Sequence, residues 1–161
     1  MRQKKNMSEL EHLENKILLC KECPQGEYEF GWGTPGKIMF IGQCPALASK
    51  GRRGTSDFDK YLFELIYPLT DKDFYFTNLI KVPMRNMNDV SLRTLVHCGE
   101  HLLEEIIIVK PEKIIALGSW SRSFCEANNI NHYSLPHPGY IFFRGITEDE
   151  WKKQLKGILN I

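Results

Sequence analysis

Five cysteines, Cys20, Cys23, Cys44, Cys98 and Cys125, are spread through a chain of 161 residues. Thiols so placed can ligate a metal, do chemistry, or sit buried as small apolar groups. An intracellular setting argues against a disulfide framework. Two other groups stand out: Asn78 after an apolar run, and His137 between Pro136 and Pro138. Taken singly, an asparagine holding a turn and a histidine satisfied within a loop are the ordinary readings. Basic residues gather at Arg2, Lys4 and Lys5, at Lys50, Arg52 and Arg53, and at Lys152, Lys153 and Lys156. Each cluster reads first as solvated surface.

The elements that carry these residues alternate between strand and helix. Ser8 to Leu19 has a helical apolar stripe (Leu10, Leu13, Ile17, Leu18), with Ser8 and Glu11 as a capping box. A loop rich in glycine and aromatics follows, from Cys20 to Gly36. Ile38-Met39-Phe40-Ile41 is a short continuous apolar run stopping at Gly42, the pattern of a buried parallel strand. Asp57 to Tyr67 is a helix that Pro68 ends, and Phe74-Tyr75-Phe76 a second strand ending at Thr77-Asn78. The clearest helix is Ser91 to Val109, with Leu92, Leu95, Val96, Leu102, Leu103, Ile106 and Ile107 on one face. A third strand, Ile114-Ile115-Ala116-Leu117, stops at Gly118 before a short helix. A weak strand near His132 to Ser134 leads into Pro136-His137-Pro138-Gly139. Thr147 and Glu150 cap a last helix that buries Trp151, Leu155, Ile158 and Leu159.

Such alternation predicts a three-layer α/β/α sandwich around a mostly parallel four-stranded sheet. Ligands in these folds bind beyond the carboxyl ends of the strands. Those ends carry Gly42-Gln43-Cys44-Pro45, Thr77-Asn78, Gly118-Ser119 and Leu135 to Pro138, so the notable residues share one crevice. No repeat, low-complexity tract or linker divides the chain, and residues 1–161 are expected to form one domain. No apolar run approaches the roughly 20 residues that span a bilayer, and no apolar signal core follows Met1 to Met7. A cytoplasmic monomer with no membrane partner is expected. The net charge of +1 gives no global pull toward nucleic acid.

In order along the chain come Cys20-x-x-Cys23, Ile-Met-Phe-Ile-Gly42-Gln43-Cys44-Pro45, Thr77-Asn78-x-x-Lys81, Cys98, Pro111 through Leu117-Gly118, and His137-Pro138 before a closing amphipathic helix. This ordered set resembles the uracil-DNA glycosylase superfamily, and within it the iron–sulfur branch. The resemblance runs from about Cys20 to Leu159. It implies an enzyme that flips a deaminated base out of DNA and hydrolyses its N-glycosidic bond. His137 would donate to uracil O2 as negative charge builds on the ring. Asn78 would read O4 and N3–H with its carboxamide. Gly42 and Cys44 would line the base pocket, Phe58 would stack on the flipped base, and Lys50, Arg52 and Arg53 would meet DNA phosphates.

The chain departs from the family pattern in three places. The segment Gly42 to Ser49 has no carboxylate, so a water would be held by backbone, Gln43, Asp57 or Asp59. The family's His-Pro-Ser is His137-Pro138-Gly139, which leaves the Gly139 N–H to meet a phosphate. Cys20, Cys23 and Cys98 match three ligands of a four-iron–four-sulfur cluster, but the fourth position falls at about Ile114. Cys125 would need another path to the metal, and His97 or His101 would instead complete a zinc site. Free buried thiols without metal are the remaining alternative. A catalytically inactive relative that binds DNA or a protein is the rival to a glycosylase. A redox protein using Cys20, Cys23 and Cys98 is a third reading.

Overall fold

The structure is a computed structural model that describes residues 2–46, 53–54, 56–70, 73–143 and 145–161. Its strands are β1 (Trp32–Gly33), β2 (Ile38–Gly42), β3 (Phe74–Asn78), β4 (Lys113–Leu117) and β5 (Tyr133–Leu135). They form one sheet in the order β1-β3-β2-β4-β5, with only β1 antiparallel to its neighbour. The expected four strands are all present. The addition is β1, two residues inside the aromatic loop that pair Trp32 with Phe76 and Gly33 with Tyr75. A strand this short leaves no periodic signal.

Side-chain alternation in the strands divides the core into two. Met39, Ile41, Tyr75, Ile114 and Ala116 pack on one face, with residues of α1 (Arg2–Leu18), α3 (Leu92–Val109) and α4 (Ser119–Ala127). Phe40, Phe74, Phe76, Ile115 and Leu117 pack on the other, against α2 (Asp57–Thr70) and α6 (Glu148–Leu159). The period of two in the strands thus builds the expected three layers. Between β5 and α6 lies one helical turn, α5 (Gly139–Phe142). No helix among the described residues is long and apolar enough to cross a membrane.

Helix boundaries differ from the sequence reading in two places. The first helix begins at Arg2, so Ser8 lies inside it and caps nothing. Pro68 sits inside α2, which continues to Thr70. Proline there frees the carbonyl of Glu64, an exposed residue whose carbonyl water can satisfy, and the Thr70 hydroxyl donates to the Ile66 carbonyl at 3.3 Å. The capping box of α6 is present as read: Glu150 N–H donates to Thr147 Oγ1, and Thr147 N–H to Glu150 Oε2.

The apolar face assigned to α3 needs correction. Leu92, Val96 and Ile107 are exposed, while Cys98, Gly99, His101, Leu102, Glu105 and Val109 are buried. The buried side of α3 is richer in polar and sulfur groups because it carries partners for buried groups elsewhere. Leu92, Leu95, Val96 and Leu103 instead line an apolar groove of about 740 Å³ shared with Trp120 and Phe124 of α4.

Candidate functional site

Parallel strands bring their carboxyl ends to one edge of the sheet. Gly42 ends β2 and Asn78 ends β3, and the two are register partners. The chain beyond β3 is pinned across the edge, since the N–H groups of Leu79 and Ile80 donate to the carbonyls of Gly42 and Gln43, both at 2.9 Å. Asn78 is 6% exposed. A Cβ at position 42 would lie 2.5 Å from Asn78 Oδ1, so only glycine leaves the carboxamide its place.

Beneath Asn78 lies a buried charge network. Lys81 Nζ donates to Thr77 Oγ1, to the Asn78 carbonyl and to Glu105 Oε2, each at 2.6 Å. These three acceptors use all three ammonium donors. Glu105 also accepts from Tyr75 OH at 2.7 Å and from Thr77 Oγ1 at 3.1 Å. Burial, and then the Glu105 carboxylate, hold the Tyr75 phenol protonated by raising its pKa well above 10. A buried ion pair is tolerable only when its remaining hydrogen bonds are made, and here they are. The sequence showed Lys81 as part of a motif but gave no sign of Glu105, which falls on a helix face that looked apolar elsewhere.

His137 follows β5 on a loop tied down from three sides. Gly118 N–H donates to the Leu135 carbonyl, Tyr140 N–H to the His137 carbonyl, and Trp151 Nε1–H to the Pro136 carbonyl, each at 2.9 Å. The Gly139 N–H donates to His137 Nδ1 at 3.1 Å. An Nδ1 that accepts is unprotonated, so the neutral ring carries its proton on Nε2. Burial lowers the imidazole pKa and keeps that neutral form. The Gly139 N–H, expected on a DNA phosphate, is thus engaged on the imidazole in the free protein.

Phe58, expected against a flipped base, stacks on the His137 ring with centroids 5.1 Å apart and planes 6° from parallel. It lies on the first turn of α2, beside the edge where the base is expected. Gln43 and Cys44 are half-buried at the end of β2. Cys44 Sγ faces the Met84 carbonyl at 3.9 Å, and burial raises its pKa, so it is a thiol. Asp59, one candidate for holding water, is 4% exposed and accepts from Ser56 Oγ at 2.7 Å and Ser56 N at 3.3 Å. It caps the start of α2 instead. Asp57 is exposed.

Of the residues expected on DNA, Lys50 and Arg52 lie outside the described residues. Arg53 is occupied within the protein, pairing with Glu14 Oε2 at 2.7 Å and lying over the Phe30 ring at 5.5 Å. The loop after His137 presents a surface that the sequence reading missed. Tyr140, Phe142 and Phe143 are 56%, 64% and 85% exposed. Their closeness to His137 in sequence was the available signal.

The cysteines separate into two sets. Cys20 and Cys23 follow α1 and meet α3, where the Cys20, Cys23 and His101 donor atoms all lie within 4.8 Å of one another. Cys98 Sγ is 4.0 Å from Cys23 Sγ. Burial raises the Cys23 pKa strongly, helped by the hydrogen bond its thiol shares with Cys20 and by the charge of Cys98. The group can bind a metal. Cys125 is elsewhere, fully buried in α4 with its pKa pushed up to about 11 by burial. It lies outside the group of mutually close donor atoms that Cys20, Cys23 and His101 form, as does Cys98, which reaches that group through Cys23. His97 is half-buried and faces Glu100 at 3.7 Å.

The residues present do not fit a four-iron cluster. The donor atoms of Cys20, Cys23 and His101 lie within 4.8 Å of one another, Cys98 Sγ is 4.0 Å from Cys23 Sγ, and the set is three thiols and one imidazole. A cube of iron and sulfide normally takes four thiolates and holds them wider apart. A tetrahedral zinc with thiolates at about 2.3 Å separates its ligand atoms by about 3.8 Å, close to the spacing seen.

A family model described as the uracil DNA glycosylase superfamily matches residues 30–156. The chain is 26% identical over 127 residues to the Type-4 uracil-DNA glycosylase of Archaeoglobus fulgidus, covering 73% of this chain and 64% of that one. It is 27% identical over 129 residues to the enzyme of the same name from Saccharolobus solfataricus, covering 73% and 59%. It is 28% identical over 120 residues to that from Pyrobaculum aerophilum, covering 68% and 61%. The chain therefore spans less than two thirds of the length of these relatives. Cys20 and Cys23 lie before the matched residues. The match takes in Gly42, Asn78 and His137 together with every described strand of the sheet, and the chain belongs to the uracil DNA glycosylase superfamily.

Proposed function

We propose that this chain is a DNA-repair glycosylase that hydrolyses the N-glycosidic bond of uracil, or of a related deaminated base, in DNA. The observation that carries the reading is the state of His137: a neutral ring whose Nδ1 is held by the Gly139 N–H, leaving Nε2–H as the donor. The names of the three relatives support the same chemistry. The protein would act as a cytoplasmic monomer on DNA.

In the proposed reaction a base flipped from the stack enters the edge between Gly42-Gln43, Asn78 and His137. The C1′–N1 bond breaks with its electron pair moving onto the uracil ring. A preorganised Nε2–H donor at O2 stabilises that charge without solvent reorganisation. The Asn78 carboxamide, one donor and one acceptor, matches uracil N3–H and O4 and mismatches cytosine. Water adds to C1′ and gives its proton to solvent. With Asp59 engaged in capping α2, the backbone, Gln43 and the exposed Asp57 are the groups left to hold that water. The exposed aromatics Tyr140, Phe142 and Phe143 are suited to enter the space the base vacates, as apolar wedges do. The metal group takes no part in this step.

A DNA-binding protein without activity is the second reading, and the segment from Gly42 to Ser49, which carries no carboxylate, favours it. Incubation with uracil-containing single- and double-stranded oligonucleotides, followed by alkaline cleavage, decides between them. Strand breaks that require uracil and vanish in His137→Ala establish the glycosylase. Binding without base release establishes the alternative.

A further inference from the structure

We infer that Cys20, Cys23, Cys98 and His101 form a closed site for a single tetrahedral zinc ion, with His101 in place of a fourth cysteine. His101 lies one turn beyond Cys98 on α3, which puts both side chains on the buried side of the helix. It is 8% exposed, and neither of its ring nitrogens has a hydrogen-bond partner among the described residues. A buried imidazole left unpaired is costly. One here, with its donor atoms within 4.8 Å of two thiols, is explained by a ligand bond.

The spacing selects the ion. Cys20, Cys23 and His101 donor atoms within 4.8 Å of one another, with Cys98 Sγ reaching Cys23 Sγ at 4.0 Å, suit one small ion held by soft thiolates and an imidazole. Three thiolates and one imidazole fill four positions, leaving none for substrate, so the site is structural. Its ligands come from the loop after α1 and from α3. The ion therefore ties the amino-terminal helix and the aromatic loop to the helix that carries Glu105. Cys125 is no part of it. This inference is independent of base excision, because it concerns residues beyond the sheet edge.

The test is metal content and cobalt spectroscopy on the full chain, purified both with and without oxygen. One zinc per chain, no visible iron–sulfur absorption and unchanged content in Cys125→Ser are expected. His101→Ala should weaken zinc affinity at least about tenfold, as loss of even an outer partner does. His101→Cys keeps a soft ligand and guards against simple misfolding. It should retain one ion and, loaded with Co²⁺, show stronger thiolate-to-metal charge transfer than wild type. Four irons per chain would overturn the inference, as would protein free of both metals. So would a cobalt spectrum unchanged by His101→Cys, or unchanged zinc affinity in His101→Ala. A uracil-release assay on the same preparations reads the glycosylase function separately.

Discussion

The Gly139 N–H and His137 Nδ1, 3.1 Å apart, fix which face of the imidazole can act. With Nδ1 accepting, the proton resides on Nε2 and the ring is a hydrogen-bond donor rather than a base. Phe58, parallel to the ring at 5.1 Å, limits its tilt. Two residues expected from the sequence as DNA and base contacts thus set the state of the imidazole.

Removal of that donor should be costly for rate and cheap for binding. His137→Ala is expected to lower single-turnover base release by roughly a hundred- to a thousand-fold. DNA affinity measured by anisotropy should stay within about threefold of wild type, since base release and phosphate contact are separate interactions.

The same burial gives a pH dependence of known sign. Burial holds His137 below its ordinary 6.5, so the neutral ring with Nδ1 accepting persists as pH falls past 6.5 and is lost only at lower pH. In the unfolded chain the imidazole takes a proton near its ordinary value. Between that value and the lowered one, the unfolded state binds more protons, and the protein loses stability as pH falls. Chemical denaturation from pH 7.5 to 5 should show this loss, reduced in His137→Gln. The two variants losing stability in parallel would locate the titration elsewhere.

Base choice should depend on the pair Gly42 and Asn78. Gly42→Ala places a methyl 2.5 Å from Asn78 Oδ1, and the carboxamide must move. Discrimination between uracil and other bases should collapse, and melting temperature should fall as well, since the same methyl meets the buried Phe76 ring at 3.1 Å. Asn78→Asp should also lose uracil selectivity, because its second acceptor opposes O4, with any gain falling on cytosine. Release rates on oligonucleotides differing only in the target base would read both.

Much of this site was legible because a strand ending in glycine or asparagine marks itself: an apolar run stops, and a residue able to approach a ligand follows. Hence Gly42, Asn78 and His137 were placed on one edge from sequence. The α3 face was not legible. Its apolar residues Leu92, Val96 and Ile107 outnumber the signal from Cys98, His101 and Glu105, whose burial rests on partners far away in the chain. Glu105 pairs with Lys81 across 24 positions, and no local pattern encodes that. The tie of Gly139 to His137 spans two residues, yet it depends on the loop path rather than on residue type.

The Lys81–Glu105 pair is expected to dominate local stability. Lys81→Met leaves a buried carboxylate with two hydroxyl donors and no cation, at a cost of about 3–5 kcal/mol. Lys81→Met combined with Glu105→Gln should cost less than the sum of the two single changes, because the second removes the stranded charge. Urea unfolding of the four proteins completes the cycle. Additive effects would mean that the pair contributes no coupling.

Salt dependence of DNA binding distinguishes the basic residues of the loop. Removing one side chain that meets a phosphate should make the log–log salt slope shallower by roughly one. Arg53 is held by Glu14 and lies over Phe30, so Arg53→Ala alone should leave the slope unchanged and instead loosen α1 from the aromatic loop. Replacing Lys50 and Arg52 tests the expectation of phosphate binding, which for those residues rests on the sequence. A slope that becomes shallower by about one in Arg53→Ala would show that DNA displaces Glu14 from the guanidinium. In that event Glu14→Gln, which frees Arg53, should raise affinity at low salt.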